Sequence, residues 1–206
     1  TYIDTITAGT AQVQRANPGY TVVQAGSAST GKALDEMFGS QLARAGMISI
    51  PITLGILMLV LGSLVGALIP LGLALTAVMA TMGLVALPSQ IVPMDEAISE
   101  VILLIGLAVG VDYSLFYIRR ERDERRAGRS ESAALEAAAA TSGRAVLISG
   151  FTVMIAMAGM FFSGDKTFMS FAIGTMMVVA VAMVGSLTVL PAMLSWLGDR
   201  VDKVRI

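Results

Sequence analysis

The sequence predicts an all-α polytopic membrane protein with five transmembrane helices and a small αβ segment outside the membrane. Its 206 residues are 55% hydrophobic and only 14% charged, whereas roughly a quarter of the residues in a soluble domain are charged. Residues 45–94 contain no Asp, Glu, Lys or Arg, and this run is about twice the ~20 residues that a helix needs to cross a bilayer. We therefore expect it to form two spans that fold back on each other.

The residue types that the chain lacks exclude several classes of function. It has no Cys and no His, so it cannot build thiolate or imidazole metal sites or a catalytic triad that depends on His. Its net charge of -1 argues against a nucleic-acid partner, because phosphates are bound by a basic surface. We expect no enzymatic activity, no metal or other cofactor and no nucleic-acid partner.

Five apolar segments define the expected transmembrane bundle, residues 45–198. The spans are placed at about 46–64, 69–88, 97–118, 145–163 and 167–190. The turn between the first two contains Gly62, Ser63, Gly66 and Pro70. Pro70 is expected in the first turn of the second helix, where its missing N–H costs nothing. Pro191 is expected to bend the last helix, and Trp196 is expected at the membrane interface.

The distribution of Arg predicts the orientation of the chain in the plasma membrane. Cytoplasmic loops collect Arg and Lys, and the segment 119–144 contains Arg119, Arg120, Arg122, Arg125, Arg126, Arg129 and Arg144. Residues 119–144 are therefore expected to be a cytoplasmic loop. Five spans then place the tail, residues 199–206, in the cytoplasm and residues 1–44 outside the membrane.

Two segments outside the spans have a pattern of their own. In residues 1–44, positions 20–23 are typical of a short strand and positions 32–44 of a helix that leads into the first span. So few residues bury little core, which indicates the end of a larger external domain. On the other side, residues 130–141 are rich in Ala and predict a helix with Ser130 as its N-cap.

Asp112 is the most informative residue in the sequence. It lies within the third span, about 10 Å from Arg119 at 1.5 Å per residue. A carboxylate in the middle of a span costs about 2.5–3.5 kcal/mol on insertion scales, so such residues usually face the bundle and mark proton or ion pathways. Its neighbour Tyr113 points about 100° away on a helix, so we expect Asp112 to meet a partner on another helix. Glu100, close to the outer boundary, is expected to reach headgroups or water.

Other small and polar residues are candidates for supporting roles. Ser149 and Thr152 on the fourth span carry hydroxyl groups that are candidates for supporting a proton relay. Small residues at four-residue spacing allow helices to approach closely. Two pairs have that spacing, Gly62 with Gly66 and Gly106 with Gly110.

Three consecutive motifs together resemble a known family of transporters. They are Gly106–Phe116 (GLAVGVDYSLF), Arg119–Arg126 (RRERDERR) and Thr141–Val153 (TSGRAVLISGFTV). The sequence resembles the MMPL (mycobacterial membrane protein large) family of the resistance-nodulation-division superfamily. The Ile50-Pro51 start of the first span and the closing Leu190–Leu194 segment (LPAML) fit the same pattern.

The resemblance implies a fold and a mechanism. Members of the family have twelve spans in two similar halves, two external porter domains and a mechanism driven by the proton-motive force, with an Asp-Tyr pair on the fourth helix of each half. Asp112 and Tyr113 match the pair of the first half. The chain then corresponds to helices two to six of that half and the end of the first porter domain. The second half of the transporter is the implied partner.

The favoured function is therefore part of a proton-driven exporter of lipids or other amphipathic compounds, with Asp112 and Tyr113 as an intramembrane proton relay. The alternative is a lipid-binding or regulatory membrane module similar to sterol-sensing domains, without proton flux. Asp112 distinguishes them, because a bundle that only senses lipid has no evident need for that acid.

Overall fold

The computed structural model describes residues 2–95 and 97–198, and these residues form helices without a strand. The α-helices are α1 (Tyr2–Ala16), α2 (Ser27–Leu61), α3 (Leu64–Leu84), α4 (Ile98–Arg126), α5 (Glu131–Ala158), α6 (Lys166–Val184) and α7 (Leu190–Leu197). Short 3-10 helices lie at Pro88–Gln90 and Gly159–Ser163, and a π-helical turn lies at Gly185–Val189. The cytoplasmic tail predicted at 199–206 falls outside the described residues.

The chain divides into two compact units, Thr1–Ser49 and Ile50–Ile206. In the first unit, the strand predicted at 20–23 does not form, so the αβ character expected for residues 1–44 is wrong for the part described. The Gln14 side chain takes the place of a neighbouring strand. Its Nε2 donates to the Tyr20 carbonyl at 2.7 Å, and its Oε1 accepts from the Val22 amide at 2.6 Å. These bonds satisfy backbone groups that a strand would pair with another strand.

Four helical segments of the second unit are long and apolar enough to cross a bilayer, judged by length and composition. They are Leu64–Gln90, Ile98–Arg126, Glu131–Ser163 and Lys166–Leu197, and they contain the last four predicted spans. The first predicted span, 46–64, corresponds to Met47–Leu61, a shorter apolar part of α2. The described residues therefore support four spans by this measure rather than five.

The turn between α2 and α3 is tighter than the sequence predicts. Gly62 adopts φ +63°, a conformation that glycine reaches without a steric penalty. Ser63 is the N-cap of α3, and its Oγ accepts from the Gly66 amide at 3.2 Å. Because this cap starts the helix at Leu64, Pro70 lies inside α3. The prediction that Pro70 occupies the first turn is wrong.

The Arg-rich segment 119–144 is largely helical and is not an extended loop. Helix α4 continues to Arg126, and α5 begins at Glu131, so only residues 127–130 connect them. The predicted N-cap is confirmed, since the Ser130 Oγ accepts from the Ala133 amide at 3.4 Å. Ion pairs one helical turn apart stabilise the end of α4, which is the physical reason that this charged sequence remains a helix.

Pro191 follows an irregular turn in the last apolar segment. The amide of Leu190 donates to the Gly185 carbonyl, which is the wider spacing of a π-helix. Because Pro191 lacks an amide proton and its ring needs space in the preceding turn, a π-helical turn before it relieves the clash that an α-helix would impose. The bend predicted at Pro191 stays a prediction, and the structure shows a π-helical turn directly before this residue. Trp196 is 78% exposed.

Helix α4 lies at the centre of the second unit and packs against α3, α5 and α6. Two glycines bring it close to its neighbours. A Cβ at Gly110 would lie 2.9 Å from the Ala74 Cα, and one at Gly106 would lie 2.5 Å from the Val78 Cγ2. Neither position has room for a side chain, so both glycines permit close helix packing. Gly62, in contrast, has open space around it and serves the turn.

Candidate functional site

Asp112 and Tyr113 lie on different sides of α4. Asp112 is exposed, on the same side as Leu104 and Phe116, which are 50% and 59% exposed. Tyr113 is only 4% exposed and lies inside the bundle. Within residues 2–95 and 97–198, no hydrogen bond or ion pair reaches the Asp112 carboxylate. The expected partner of Asp112 on another helix is therefore not among the described residues.

Tyr113 occupies the junction of four helices. It belongs to a buried cluster with one residue of α3, one of α5 and two of α6, namely Ala77, Val146, Ala182 and Met183. The Tyr113 hydroxyl is buried and has no hydrogen-bond partner in the part of the chain that is described. A buried hydroxyl without a partner costs about 1–3 kcal/mol, so this group is a candidate for a role beyond packing.

Ser149 and Thr152 do not face this cluster. Both are exposed on α5, and the Thr152 hydroxyl donates to the Ile148 carbonyl of its own helix at 2.8 Å. The buried face of α5 at this depth is formed by Val146 and Gly150. Gly150 lies directly against Met183. The structure thus separates the two hydroxyls from Tyr113.

The predicted contact of Glu100 with headgroups or water stays a prediction. Glu100 is partly buried, and its Oε2 atom is enclosed without a hydrogen-bond partner among the described residues. The nearby Asp95 is well bonded, because its Oδ2 accepts from the Thr167 hydroxyl at 3.1 Å and its amide donates to the Ser170 hydroxyl at 2.9 Å. These bonds fix the loop before α4 to the start of α6.

The charged end of α4 contains two buried carboxylates, Glu121 and Glu124, within the segment predicted to be a cytoplasmic loop. Their residues are 5% and 7% exposed. Glu121 pairs with Arg125, while Glu124 pairs with Arg120 at 2.5 Å and with Arg129 at 3.0 Å. The spacing of four residues between opposite charges was the available signal. This network holds the end of α4 and the connection to α5 together.

Arg122 makes a contact that the sequence did not predict. Its Nη1 donates to the Leu61 carbonyl, the last residue of α2, at 2.5 Å. A cation at the C-terminus of a helix satisfies a free carbonyl and interacts favourably with the helix dipole. Gly66 leaves room for this side chain, because a Cβ there would lie 3.0 Å from the Arg122 Nη2. Arg122 therefore ties α4 to the turn between α2 and α3.

An open apolar groove of about 570 Å³ lies between α3 and the end of α6. Helix α3 contributes Leu73, Thr76, Ala77 and Ala80, and the opposite side is formed by residues of α6 and the π-turn such as Val181 and Val189. The Thr76 hydroxyl donates to the Leu73 carbonyl, so the groove presents an apolar surface. The described residues contain no group of three or more acidic side chains placed to hold a metal ion.

Four apolar helices, three of them packed around α4, together with a carboxylate on the exposed side of α4, are features of a polytopic α-helical membrane protein. The MMPL family profile matches residues 2–205, and the chain belongs to this family. The predicted resemblance is therefore confirmed.

Several curated relatives come from mycobacteria. The chain is 39% identical over 178 residues to the mycolic acid-containing lipids exporter MmpL11 of Mycolicibacterium smegmatis, covering 86% of this chain and 19% of that protein. It is 42% identical over 154 residues to the heme uptake protein MmpL11 of Mycobacterium tuberculosis, covering 75% of this chain and 16% of that protein. It is 29% identical over 168 residues to the trehalose monomycolate exporter MmpL3 of M. smegmatis, covering 82% of this chain and 17% of that protein. The chain spans less than a fifth of the length of these relatives.

Proposed function

We propose that the chain is part of an exporter of lipids or other amphipathic compounds, driven by the proton-motive force, in which Asp112 and Tyr113 form an intramembrane proton relay. The observation that carries the proposal is the Asp112 carboxylate on the exposed side of an apolar helix. An acid within a membrane span is costly and is retained where it serves a function. The exporters among the relatives support a lipid as the substrate.

The outward position of Asp112 fits a relay completed by another part of the transporter. Leu104 and Phe116 give the exposed side of α4 an apolar surface around the carboxylate, which suits contact with a second transmembrane half. That half would supply the partner of Asp112. Tyr113 faces the interior of the bundle around α4. The adjacent residues Asp112 and Tyr113 therefore connect the exposed side of α4 to the centre of this bundle.

Protonation of Asp112 provides a physical coupling between the proton gradient and helix packing. A carboxylate between apolar surfaces is penalised, whereas its neutral form is tolerated there. Protonation of Asp112 therefore favours closer packing of the exposed side of α4 against the second transmembrane half. Deprotonation favours a more hydrated arrangement. Because α4 packs against α3, α5 and α6, a shift of α4 changes the contacts of the whole bundle.

We propose a plasma-membrane location with residues 1–44 outside and both the Arg-rich segment 119–144 and the C-terminus in the cytoplasm. The support is the asymmetry of basic residues, since Arg collects on the cytoplasmic side. Helix α4 ends among these Arg residues, which is the arrangement expected where a span reaches the cytoplasm.

The apolar groove between α3 and α6 favours the second candidate, a lipid-binding or regulatory module without proton flux. Its volume of about 570 Å³ and its apolar lining suit an acyl chain. A module of this kind would bind lipid in the groove and would not depend on the charge of Asp112.

Replacement of Asp112 by Asn separates the two candidates. Asn keeps the shape and hydrogen-bonding ability of the side chain but cannot carry a proton. In the full-length protein reconstituted into liposomes that contain the pH dye pyranine, we expect Asp112→Asn to abolish proton uptake driven by a membrane potential. Tyr113→Phe should slow it. Glu136→Gln, which removes an exposed carboxylate on α5, is the matched control and should behave as the wild type. Wild-type proton uptake by Asp112→Asn would refute the relay.

A further inference from the structure

The register between α4 and α6 is fixed by two glycines. A Cβ at Gly174 of α6 would lie 2.8 Å from the Ile98 side chain, and one at Gly106 of α4 would lie 2.7 Å from the Val178 side chain. Ile98 precedes Gly106 in α4, and their respective partners Gly174 and Val178 follow the same order in α6. The two helices are therefore parallel. Further along α6, Ala182 and Met183 share a buried cluster with Tyr113, and Leu187 of the π-turn Gly185–Val189 packs against that cluster. Helix α4 contacts that turn.

Ser186 lies in the π-turn on the side that faces the bundle. It is 1% exposed and lies on the same buried face as Ala182 and Leu190. Ala182 belongs to the cluster around Tyr113, and Leu190 belongs to the neighbouring cluster that contains Tyr117. Ser186 therefore lies between two buried tyrosines on the cytoplasmic half of α4.

The Ser186 hydroxyl differs from the hydroxyls of Ser114 and Thr188, which are bonded within their own helices. Ser and Thr in helices commonly donate to the carbonyl four residues earlier, as Ser114 does to Gly110 at 2.8 Å and Thr188 does to Val184 at 2.6 Å. The Ser186 Oγ is buried and has no partner among the described residues, and the same is true of the Tyr113 hydroxyl. Buried polar groups are nearly always hydrogen-bonded, so these two hydroxyls indicate a polar ligand.

The π-turn provides a third polar group at this place. Pro191 has no amide proton, so a carbonyl of the turn, that of Ser186 or of Leu187, loses the donor that a regular helix would supply. π-turns occur frequently at functional sites. An internal water molecule typically makes two to four hydrogen bonds, and two hydroxyls with one carbonyl satisfy that number.

We propose that Tyr113, Ser186 and the freed carbonyl of the π-turn bind an internal water, which extends the relay from Asp112 and Tyr113 towards the cytoplasmic side of the bundle. The proposal rests on the proposed function, because it names the next step of the same proton path. Each hydroxyl and the water accept a proton on one side and release one on the other, so every group ends neutral. Ser186 acts as a positioning and relay residue, and it binds no substrate lipid.

The test compares two buried serines of the bundle, Ser186 and Ser114. Ser186→Ala removes a hydroxyl without a partner, while Ser114→Ala removes one that is already bonded within its helix. In full-length protein reconstituted into pyranine-loaded liposomes, we expect Ser186→Ala to reduce potential-driven proton uptake at least fivefold and Ser114→Ala to change it less than twofold. Ser186→Thr restores the hydroxyl and should recover at least half of the wild-type rate. The thermal midpoint of Ser186→Ala should fall no further than that of Ser114→Ala, because each variant loses one hydrogen bond of a buried hydroxyl.

The outcomes separate this proposal from the one on which it rests. If Asp112→Asn abolishes uptake and Ser186→Ala keeps the wild-type rate, the water site is wrong and the relay stands. Equal losses of proton uptake in Ser186→Ala and Ser114→Ala, or a thermal midpoint for Ser186→Ala well below that of Ser114→Ala, would assign the effect to packing and overturn the water site. If Asp112→Asn itself retains uptake, both proposals fall.

Discussion

Substitution of Gly110 by Ala tests the close approach of α4 and α3. A Cβ at this position would lie 2.9 Å from both the Cα and the Cβ of Ala74. Carbon atoms in contact are about 3.5–4.0 Å apart, so the added methyl group needs roughly 0.6–1.1 Å more room. The obstacle is a backbone atom, so no rotamer change relieves it and the two helices must separate.

The expected cost follows from this overlap. Overpacking by a methyl group costs about 1–3 kcal/mol, and replacing a helical Gly by Ala returns about 0.5–1 kcal/mol. Gly72→Ala is the matched control, because Gly72 lies within α3 with nothing within 4 Å of its Cβ position. Gly72→Ala therefore gains only the about 0.5–1 kcal/mol that comes from replacing a helical Gly by Ala. The difference between the two variants should therefore equal the overpacking cost, about 1–3 kcal/mol.

The assay is thermal unfolding of the full-length protein in detergent, with both variants measured beside the wild type. We expect a lower midpoint for Gly110→Ala and an equal or higher one for Gly72→Ala. Proton uptake should also fall in Gly110→Ala if α4 must pack closely to carry the relay. A Gly110→Ala protein as stable as Gly72→Ala would show that α4 does not approach α3 as closely as the structure places it.

Two further predictions concern topology and helix capping. In a Cys-free background, Cys at position 89 should react with an impermeant maleimide added outside intact cells, whereas Cys at position 132 should react only after permeabilisation. The reverse pattern would invert the proposed orientation. Arg122→Gln removes the charged donor to the Leu61 carbonyl and should lower the free energy of unfolding by about 1.5–3 kcal/mol. Arg119→Gln, at an exposed position, should leave it nearly unchanged in the same denaturation assay.

The sequence by itself determined where the apolar helices lie and where a charge interrupts them. Span positions follow from runs of apolar residues, because the bilayer sets a minimum length that is read along the chain. The cap at Ser130 was predictable for a similar reason, since a helix start depends on a few adjacent residues. The strand at 20–23 was not predictable in this way. Local pattern favoured it, but a strand requires a partner, and the Gln14 side chain satisfies its backbone groups instead.

The sequence also located Asp112 and Tyr113, but only the tertiary structure decided what each of them faces. Adjacent residues on a helix point about 100° apart, so Asp112 and Tyr113 face different surroundings. The packing of α3, α5 and α6 against α4 places Tyr113 in the interior. The same packing turned Ser149 outward and buried Ser186. Nothing in the local sequence distinguishes these serines, because the burial of a hydroxyl and its choice of partner depend on which neighbouring helices cover that face. Position along the chain sets depth in the membrane, whereas contacts between helices distant in sequence determine which polar groups meet.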